Sequence, residues 1–227
     1  MKIVLTCEHA GNNIPEKYQH LFSKAKKVLN SHRGFDIGAY KIFNDLTKFS
    51  DHHIYTNISR LLIDTNRSIG SKYLFSDYTR VPDKKIREDI CNSYYLPYRD
   101  NVNGFINTNI KRENIFHISV HSFTPILNNK KRNADIGILY NPKSKNEKIL
   151  ADKIKRMIKS FSPDLKVRYN YPYLGISDGF TTYLREIFSY NKYSGIELEV
   201  NQKLFKNKEV INKIILSVQE FMIQIKK

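Results

Sequence analysis

Two histidines and one glutamate lie at positions where they could form a hydrolytic metal site. His9, His121 and Glu199 each lie at or just past the end of a short apolar run. Imidazole and carboxylate groups are preferred ligands of zinc, and a further carboxylate can act as a base towards water. Asn66 and Arg67 follow another apolar run and offer an amide and a cation that could bind a substrate carboxylate. These residue types together predict zinc-dependent hydrolysis.

The elements that must position these groups can be read from the hydrophobic pattern. Apolar runs predict buried strands at Ile3–Thr6, Ile54–Ile63, Ile115–Val120, Ile136–Tyr140 and Ile196–Val200. Apolar residues at three- and four-residue steps predict amphipathic helices over 149–161 and 210–225. A further helix is expected to begin near Pro97, because proline tolerates the first helical turn. Strands that alternate with helices predict a three-layer α/β fold, in which ligands bind beyond the carboxyl ends of the strands.

Each candidate residue also has a purely structural interpretation. A single histidine at a strand end is more often a hydrogen-bonding loop residue than a ligand. Asp36 could cap a helix over 37–46, and Arg60 and Arg67 could be surface charges. Glu197 and Glu199 alternate along a strand and therefore share a face. Two acids on an apolar strand are unusual, because unpaired buried carboxylates are costly.

The bulk composition places the chain among ordinary globular proteins. Its 227 residues are 41% hydrophobic, which allows a core without disulfides, and one domain over residues 1–227 is the simplest interpretation. Cys7 and Cys91 are interpreted as reduced thiols of a cytoplasmic protein. The apolar run at the N-terminus is too short for a signal peptide. No segment approaches the roughly 18 apolar residues of a membrane span, so no membrane partner is expected.

The net charge of +16 raises the question of nucleic-acid binding. The lysines and arginines are scattered along the whole chain and do not form one basic arm or stripe. Nucleic acid is therefore not expected as a partner, although a basic surface can attract anionic substrates.

Seven segments resemble, in order, recurring blocks of the N-formylglutamate amidohydrolase family. They are CEHAGNNIP, HRGFDIGAY, SRLLIDTNR, VHSFTP, DIGILYN, NYPY and IELEVNQKL, and they run from Cys7 to Leu204. The ordered set is specific, above all CEHAG, SRLLIDTNR and HSFTP. The resemblance implies a zinc-carboxypeptidase-like (phosphorylase/hydrolase-like) fold, with a mixed sheet between two helical layers. It also implies a small-molecule substrate, an N-formyl or other N-acyl acidic amino acid such as N-formylglutamate.

The resemblance also supplies roles for the metal site and the catalytic groups. It implies that His9, Asp36 and His121 hold one zinc ion per chain and leave a position open for water. Glu199 would act as the general base, and Arg60 would help to stabilise the oxyanion. Nickel, cobalt and iron accept similar ligands, so zinc is the best-suited metal and not the only candidate.

The substrate would be held by a second group of residues. Asn66 and Arg67 would bind a substrate carboxylate, since an arginine fork suits bidentate binding. Tyr173, in the segment NYPY, would close over the substrate.

Two departures from the family pattern leave alternatives open. Carboxypeptidase-like sites carry their acidic ligand three residues after the first histidine, where this chain has Asn12. Either Glu8 or Asp36 must then supply the acid. Asp36 is preferred, because Glu8 and His9 are neighbours and would point to opposite sides of an extended segment. The block after Glu199 has Asn201 in place of the usual arginine, which leaves the substrate open.

Two other functions are therefore retained. The protein could be a zinc amidase or peptidase-like enzyme that acts on another N-acylated substrate. It could also be a non-catalytic, basic binding protein on the same fold. The latter would bind no metal and would bind polyanions with strong salt dependence.

Metal content distinguishes the hydrolase from the binding protein. We expect about one zinc ion per chain in protein purified without a histidine tag, and loss of that zinc in His121→Ala, because structural and catalytic zinc sites need at least three protein ligands. Elemental analysis of both proteins provides the measurement. Absence of metal from the wild type, even after zinc is supplied, would exclude the hydrolase mechanism.

Overall fold

A six-stranded mixed sheet forms the centre of the protein in the computed structural model, which describes residues 1–80 and 83–226. The strands are β1 (Lys2–Cys7), β2 (His52–Tyr55), β3 (Ile115–Phe123), β4 (Ile126–Leu127), β5 (Lys130–Lys131), β6 (Ile136–Leu139), β7 (Val167–Tyr169) and β8 (Tyr193–Asn201). The sheet order is β2-β1-β3-β8-β6-β7, while β4 and β5 form a separate hairpin. All neighbouring strands of the large sheet are parallel except β6 and β8, which are antiparallel.

The helices cover both faces of this sheet. They are α1 (Lys26–Leu29), α2 (Ala39–Leu46), α3 (Lys84–Ile90), α4 (Leu96–Asn109), α5 (Lys145–Phe161), α6 (Phe180–Ile187) and α7 (Lys208–Lys226). A π-helical segment, Cys91–Tyr95, joins α3 to α4. The predicted three-layer α/β fold with a mixed sheet is confirmed, as are the two amphipathic helices, now α5 and α7. None of the helices in the described ranges is long and apolar enough to cross a membrane.

One face of the sheet is mainly apolar. Alternate residues of the central strands, such as Leu5, Ile118 and Leu198, are fully or almost fully buried beneath α2, α5 and α7. The spacing of two in each strand produces this alternation, because successive side chains of a strand point to opposite faces. Burial of this face removes apolar area from water and thereby stabilises the fold.

The opposite face changes character along the strands. At the amino ends it is apolar, and Val4, Ile115 and Tyr193 pack against α4 and α6. Towards the carboxyl ends it becomes polar, because β3 and β8 carry His117, Ser119, His121, Glu197 and Glu199 there. The polar groups are thus gathered at the carboxyl edge, the position that the sequence predicted for a site.

The predicted strand Ile54–Ile63 is wrong beyond Tyr55. Strand β2 ends at Tyr55, and residues 60–62 form a turn. Ile58, Leu61 and Leu62 are buried in a separate hydrophobic cluster with Tyr18 and Tyr95, away from the large sheet. The apolar run therefore predicted burial correctly. These side chains are buried by packing against other segments and not by forming a strand of the sheet. Asp64, Asn66 and Arg67 consequently follow a loop and not a strand.

The predicted start of a helix near Pro97 is confirmed, because α4 begins at Leu96 and has the proline in its first turn; α3 and the π-helical segment lead directly into it. The interpretation of Asp36 as a helix cap needs correction. Asp36 does not cap α2 with its side chain, because the N-cap residue is Gly38, which has no side chain, and its φ of 86° is a left-handed conformation that glycine adopts readily. The Asp36 carboxylate is used elsewhere.

His117 makes the stability of the fold depend on pH. Its ring is fully buried and shares hydrogen bonds of 2.7 Å with Thr6 Oγ1 and 2.8 Å with the Tyr193 hydroxyl. Burial lowers the pKa of His117 from 6.5 to about 4. The unfolded chain therefore takes up a proton at a higher pH than the folded chain, and stability is lost as pH falls from about 6.5 to about 4.

We expect His117→Gln to remove this loss, which amounts to on the order of 3 kcal/mol across that pH interval. Urea unfolding of chelator-treated protein at pH 7, 5 and 4 gives the free energies of unfolding. The wild type should lose more stability than the variant over this series, while the exposed His20→Gln should behave like the wild type. A difference between wild type and His117→Gln that stays constant with pH would contradict the assignment.

Candidate metal centre

Register between β3 and β8 places the first pair of candidate groups side by side. His121 is the direct neighbour of Glu199, and Ser119 is the direct neighbour of Glu197. Thr6 of β1 lies opposite Ser119 on the other side. Neighbouring strands lie about 4.8 Å apart, so β3 and β8 together bring an imidazole and a carboxylate to the same edge without any contribution from loops.

Two loops supply the rest of the centre. His9 follows β1, and Asp36 lies in the segment before α2. The two segments are joined by a backbone hydrogen bond of 2.9 Å from Asp36 N to His9 O. Ser122 N also donates to Asp36 Oδ2, at 3.3 Å. Backbone contacts therefore hold the Asp36 carboxylate over the end of β3.

The side chains of His9, Asp36 and His121 converge on one point. One ligand atom from each of them lies within 4.8 Å of the others, and all three residues are buried. Asp36 Oδ2 is 2.9 Å from His121 Nδ1 and 3.5 Å from His9 Nδ1. His9 Nδ1 has no hydrogen-bond partner within the described part of the chain. A buried imidazole nitrogen without a partner, beside a carboxylate and a second imidazole, fits a metal ion.

Buried carboxylates hold the far nitrogen of each histidine. His9 Nε2 is 2.7 Å from Asp64 Oδ1, and His121 Nε2 is 3.2 Å from Glu8 Oε2. Histidine ligands of metals commonly donate their other nitrogen to a carboxylate in this way, which fixes the ring and its tautomer. Glu8 therefore lies behind His121, and the acid that faces both Nδ1 atoms is Asp36, as the sequence interpretation preferred.

Sequence reasoning missed the role of Asp64. The available signal was its place in the segment SRLLIDTNR. Asn12, which occupies the position of the usual acidic ligand, points away and donates to Leu29 O at 3.1 Å. Asp64 is thus not one of the three candidate metal ligands; it orients one of them, His9.

The charged groups around this point shift one another's pKa values. Burial alone would raise the pKa of Asp36, but the Arg60 guanidinium and the two histidines hold that pKa well below its usual value. Burial alone would lower the pKa of His121, but Asp36 and Glu8 hold that pKa well above its usual value. Surroundings that favour a proton on His121 also favour a metal cation at the same place.

Glu199 is the second group with an unused polar atom. It is 4% exposed, and its Oε2 has no hydrogen-bond partner among residues 1–80 and 83–226. Burial, together with the nearby Asp36 and Glu197, raises the pKa of Glu199 to about 8, although His121 and Arg60 oppose this shift. A carboxylate that lies beside a candidate metal position and has a raised pKa is suited to accept and return a proton.

Arg60, predicted to stabilise the oxyanion, and the predicted substrate-binding residues Asn66 and Arg67 each contact another part of the site. The Arg60 guanidinium contacts Asp36 Oδ1, and the Arg67 guanidinium contacts the backbone oxygen of Asp178. Asn66 Oδ1 accepts a 2.6 Å hydrogen bond from Phe180 N, which leaves its amide nitrogen for another partner. Tyr95 and Arg99 hold the backbone oxygen of Arg67 at 2.8 and 2.7 Å, respectively.

Tyr173 reaches the site from a loop after β7. Its hydroxyl accepts a 3.0 Å hydrogen bond from Arg132 Nη2, and the Arg132 guanidinium carbon lies 5.0 Å from the centre of its ring. Gly137 allows the loop that carries Tyr173 to pass close to β6, because a Cβ at position 137 would lie 1.9 Å from Tyr171 O and 3.2 Å from the Glu199 Cβ. Tyr173 remains 46% exposed at the mouth of the site, and Arg132 was not identified from the sequence.

All eight residues that the sequence singled out line one cavity of about 530 Å³. They are His9, Asp36, Arg60, Asn66, Arg67, His121, Tyr173 and Glu199. Asn201, which departs from the family pattern, is fully buried outside the cavity lining, where it donates to Ala134 O at 2.8 Å and accepts from Lys203 N at 3.1 Å. The Asn201 departure therefore does not alter the cavity directly.

Comparison with known proteins identifies a matching family model and several similar structures. The family model described as N-formylglutamate amidohydrolase matches residues 1–206. A search of curated protein sequences finds no match. Among solved structures, gene product Atu2144 from Agrobacterium tumefaciens is 27% identical over 98% of this chain and 89% of its own, with a TM-score of 0.81.

Two further structures match at lower identity. The N-formylglutamate amidohydrolase from Ralstonia eutropha JMP134 is 15% identical over 99% of this chain and 92% of its own, with a TM-score of 0.72. This likeness shows a shared fold. A metallo-carboxypeptidase from Burkholderia cenocepacia is 12% identical over 99% of this chain and 58% of its own, with a TM-score of 0.40.

Removal of the carboxylate behind His9 tests the metal centre. We expect Asp64→Asn to weaken zinc binding by about 10- to 100-fold, because the imidazole loses the partner that orients it and raises its basicity. Zinc affinity can be measured by competition with a chromogenic chelator. The matched control is Asp178→Asn, which removes an exposed carboxylate from the same cavity and should bind zinc like the wild type. Equal zinc affinity in Asp64→Asn and the wild type would contradict this role of Asp64.

Proposed function

Because this chain belongs to the N-formylglutamate amidohydrolase family, we propose that it is a metal-dependent enzyme that hydrolyses the amide bond of an N-formyl or other N-acyl amino acid. The family itself consists of hydrolases that act on amides. The resemblance adds an acidic amino acid such as glutamate as the expected substrate, and zinc as the expected metal.

One observation carries the proposal. His9 Nδ1 and Glu199 Oε2 have no hydrogen-bond partner in the described ranges, and both residues line the same cavity, as do His121 and Asp36. Buried polar atoms are nearly always hydrogen-bonded, so these exceptions, together with Arg60 Nε and Arg67 Nε of the same cavity, point to a ligand that supplies the partners. A metal ion accounts for His9 Nδ1, and a water molecule or a substrate group accounts for Glu199 Oε2.

His9, Asp36 and His121 would hold the metal. When bound, such an ion polarises a carbonyl oxygen and lowers the pKa of water towards about 7. Its positive charge would also lower the pKa of the nearby Glu199 and leave that carboxylate ionised, as a base must be. The fit rests on the donor set, which is two imidazole nitrogens and one carboxylate at a position open to the cavity.

Glu199 would move the proton. Its Oε2 accepts a proton from the attacking water and returns it to the nitrogen of the leaving amine, so one group serves as base and then as acid. The enclosure of Glu199 strengthens both its interaction with the water and its preference for the protonated form between the two steps. Arg60, with its buried and unpartnered Nε, is positioned to stabilise negative charge on the substrate oxygen.

Asn66 and Arg67 would orient the substrate through its α-carboxylate. Both line the cavity, and the hydrogen bond from Phe180 N fixes the Asn66 amide so that its nitrogen is free to donate. A charge-assisted contact to arginine is stronger than a neutral hydrogen bond and favours one orientation of a carboxylate. Tyr173 would cover the bound substrate from the mouth of the cavity.

Replacement of the base tests the mechanism. We expect Glu199→Gln to reduce kcat by at least about 100-fold without loss of zinc, because the amide cannot accept the proton of the water. Formate release from N-formyl amino acids, including N-formylglutamate, measures the activity, and elemental analysis measures the zinc.

Glu186→Gln provides the matched control. Glu186 is exposed on α6, outside the cavity lining, and its variant should keep the activity of the wild type. Near-normal activity of Glu199→Gln would show that another group is the base. Failure of the zinc-loaded wild type to hydrolyse any N-acyl amino acid would refute the proposed function itself.

A further inference from the structure

Glu197 is a buried acid of the cavity to which the proposed mechanism assigns no role. It lies two residues before Glu199 on the same face of β8 and lines the same cavity. Two residues of a strand span roughly 6 to 7 Å, so Glu197 lies that far from Glu199, on the side away from the carboxyl edge. It forms part of the floor of the cavity.

The carboxylate of Glu197 is poorly satisfied for its burial. It is 9% exposed, and its side chain accepts one hydrogen bond, of 2.8 Å from the Thr181 hydroxyl to Oε1. It makes no ion pair with any residue that the structure describes. An ionised carboxylate that is removed from water is costly unless a cation or several donors face it.

Other buried acids of the chain do have such partners. Glu147 accepts from Arg185 Nε at 2.8 Å, from Asn141 N at 2.7 Å and from Gly195 N at 3.0 Å. Asp64 faces His9 and also accepts from a backbone nitrogen. Glu197 therefore differs from these acids, because no described residue forms a hydrogen bond or an ion pair with its second oxygen, and the residue lines the cavity.

Glu197 lies close to Asn66, the residue that would bind the α-carboxylate of the substrate. A Cβ at Gly179 would lie 3.3 Å from Glu197 Oε1 and 3.3 Å from Asn66 Oδ1, so these two side chains flank the same glycine. The absence of a side chain at position 179 leaves the space between them open. Asn66 is the group that would bind the α-carboxylate, and a side chain on the adjacent α-carbon is therefore within reach of Glu197.

None of the cations that line the cavity forms an ion pair with Glu197 in the described ranges. None of them therefore offsets the charge of a second carboxylate beside Glu197. Arg60 contacts Asp36, and Arg67 lies 3.8 Å from Asp64. The remaining lining lysine, Lys72, has its ammonium 5.0 Å from the ring centre of Tyr73 at the rim. A negative side chain on the floor would meet Glu197 and Glu199, and like charges at close range exclude a ligand.

We propose that Glu197, oriented by Thr181 and flanked by Gly179 and Asn66, is a specificity-determining residue that accepts a hydrogen bond from the side chain of the substrate amino acid. The preferred substrate is then an N-acyl amino acid whose side chain ends in a donor, an amide or an ammonium group, in place of the glutamate expected from resemblance. This inference rests on the proposed function, since Asn66 and Glu199 set the orientation of the substrate.

Binding tests the proposal separately from turnover. Calorimetry measures the Kd of N-formyl-L-glutamine, N-formyl-L-lysine and N-formyl-L-glutamate for zinc-loaded Glu199→Gln. We expect the glutamine or the lysine derivative to bind at least about tenfold more tightly than the glutamate derivative, because like charges in close contact cost several kcal/mol. Adding Glu197→Gln should remove the preference for lysine and improve glutamate binding by a similar factor, since the isosteric amide keeps a partner for Thr181.

Asp178→Asn is the matched control for net charge. It removes one negative charge from the rim of the same cavity and should leave the order of the three ligands unchanged. Equal or tighter binding of the glutamate derivative in the Glu199→Gln background would overturn the proposal. So would an order of affinities that Glu197→Gln does not alter, or the absence of binding by all three ligands.

The two proposals fail in different ways. If the wild type releases no formate from any of these compounds but binding still follows Glu197, the proposed reaction is wrong and the subsite stands. If formate is released at equal kcat/KM from all three compounds and Glu197→Gln changes none of these values, the reaction stands and the subsite is wrong.

Discussion

The buried carboxylate of Asp36 is the contact on which the other parts of the site depend. Its two oxygens face Arg60 on one side and His9 and His121 on the other, so three separate segments of the chain must be in place before its charge is compensated. A buried carboxylate without partners would strongly destabilise the fold, and no single one of these segments compensates its charge. The need to satisfy Asp36 therefore ties the loop after β1, the segment before α2 and the end of β3 into one arrangement.

A line of polar contacts extends this arrangement into the sheet. Tyr98 of α4 donates to Glu8 at 3.1 Å, Ser119 donates to Glu8 at 2.6 Å, and Glu8 in turn lies behind His121. Each of these groups is buried and each has a partner, which is the condition under which a polar network can exist inside a protein. His9 Nδ1 and Glu199 Oε2, in contrast, have no hydrogen-bond partner within residues 1–80 and 83–226, and both residues line the cavity. The fold thus satisfies the polar groups of this network and leaves two side-chain atoms beside it open to a ligand.

Errors in the local predictions have a common origin. The run Ile54–Ile63 was apolar because Ile58, Leu61 and Leu62 are buried, but they are buried among loop and helix residues and not in the sheet. Asp36 precedes a helix and resembles a cap, but its side chain is drawn to Arg60 and His121 instead. In both cases the sequence pattern indicated a real local preference, for burial or for helix capping. Contacts with distant parts of the chain determined the structure that formed. Long-range packing routinely overrides local preference in this way.

The sequence by itself determined strands β1, β3, β6 and β8, helices α5 and α7, and the edge at which the polar residues gather. These follow from spacing, since the alternation of two in a strand and the steps of three and four in a helix are properties of the backbone. The roles of the eight candidate residues came from the resemblance of their segments to the family blocks. Only the tertiary structure decided that Asp36 and not Glu8 faces both histidines, that Asp64 holds His9, and that Glu197 has no cation beside it. Those contacts join residues 55 and 85 positions apart, and no local pattern records which distant side chain will compensate a buried charge.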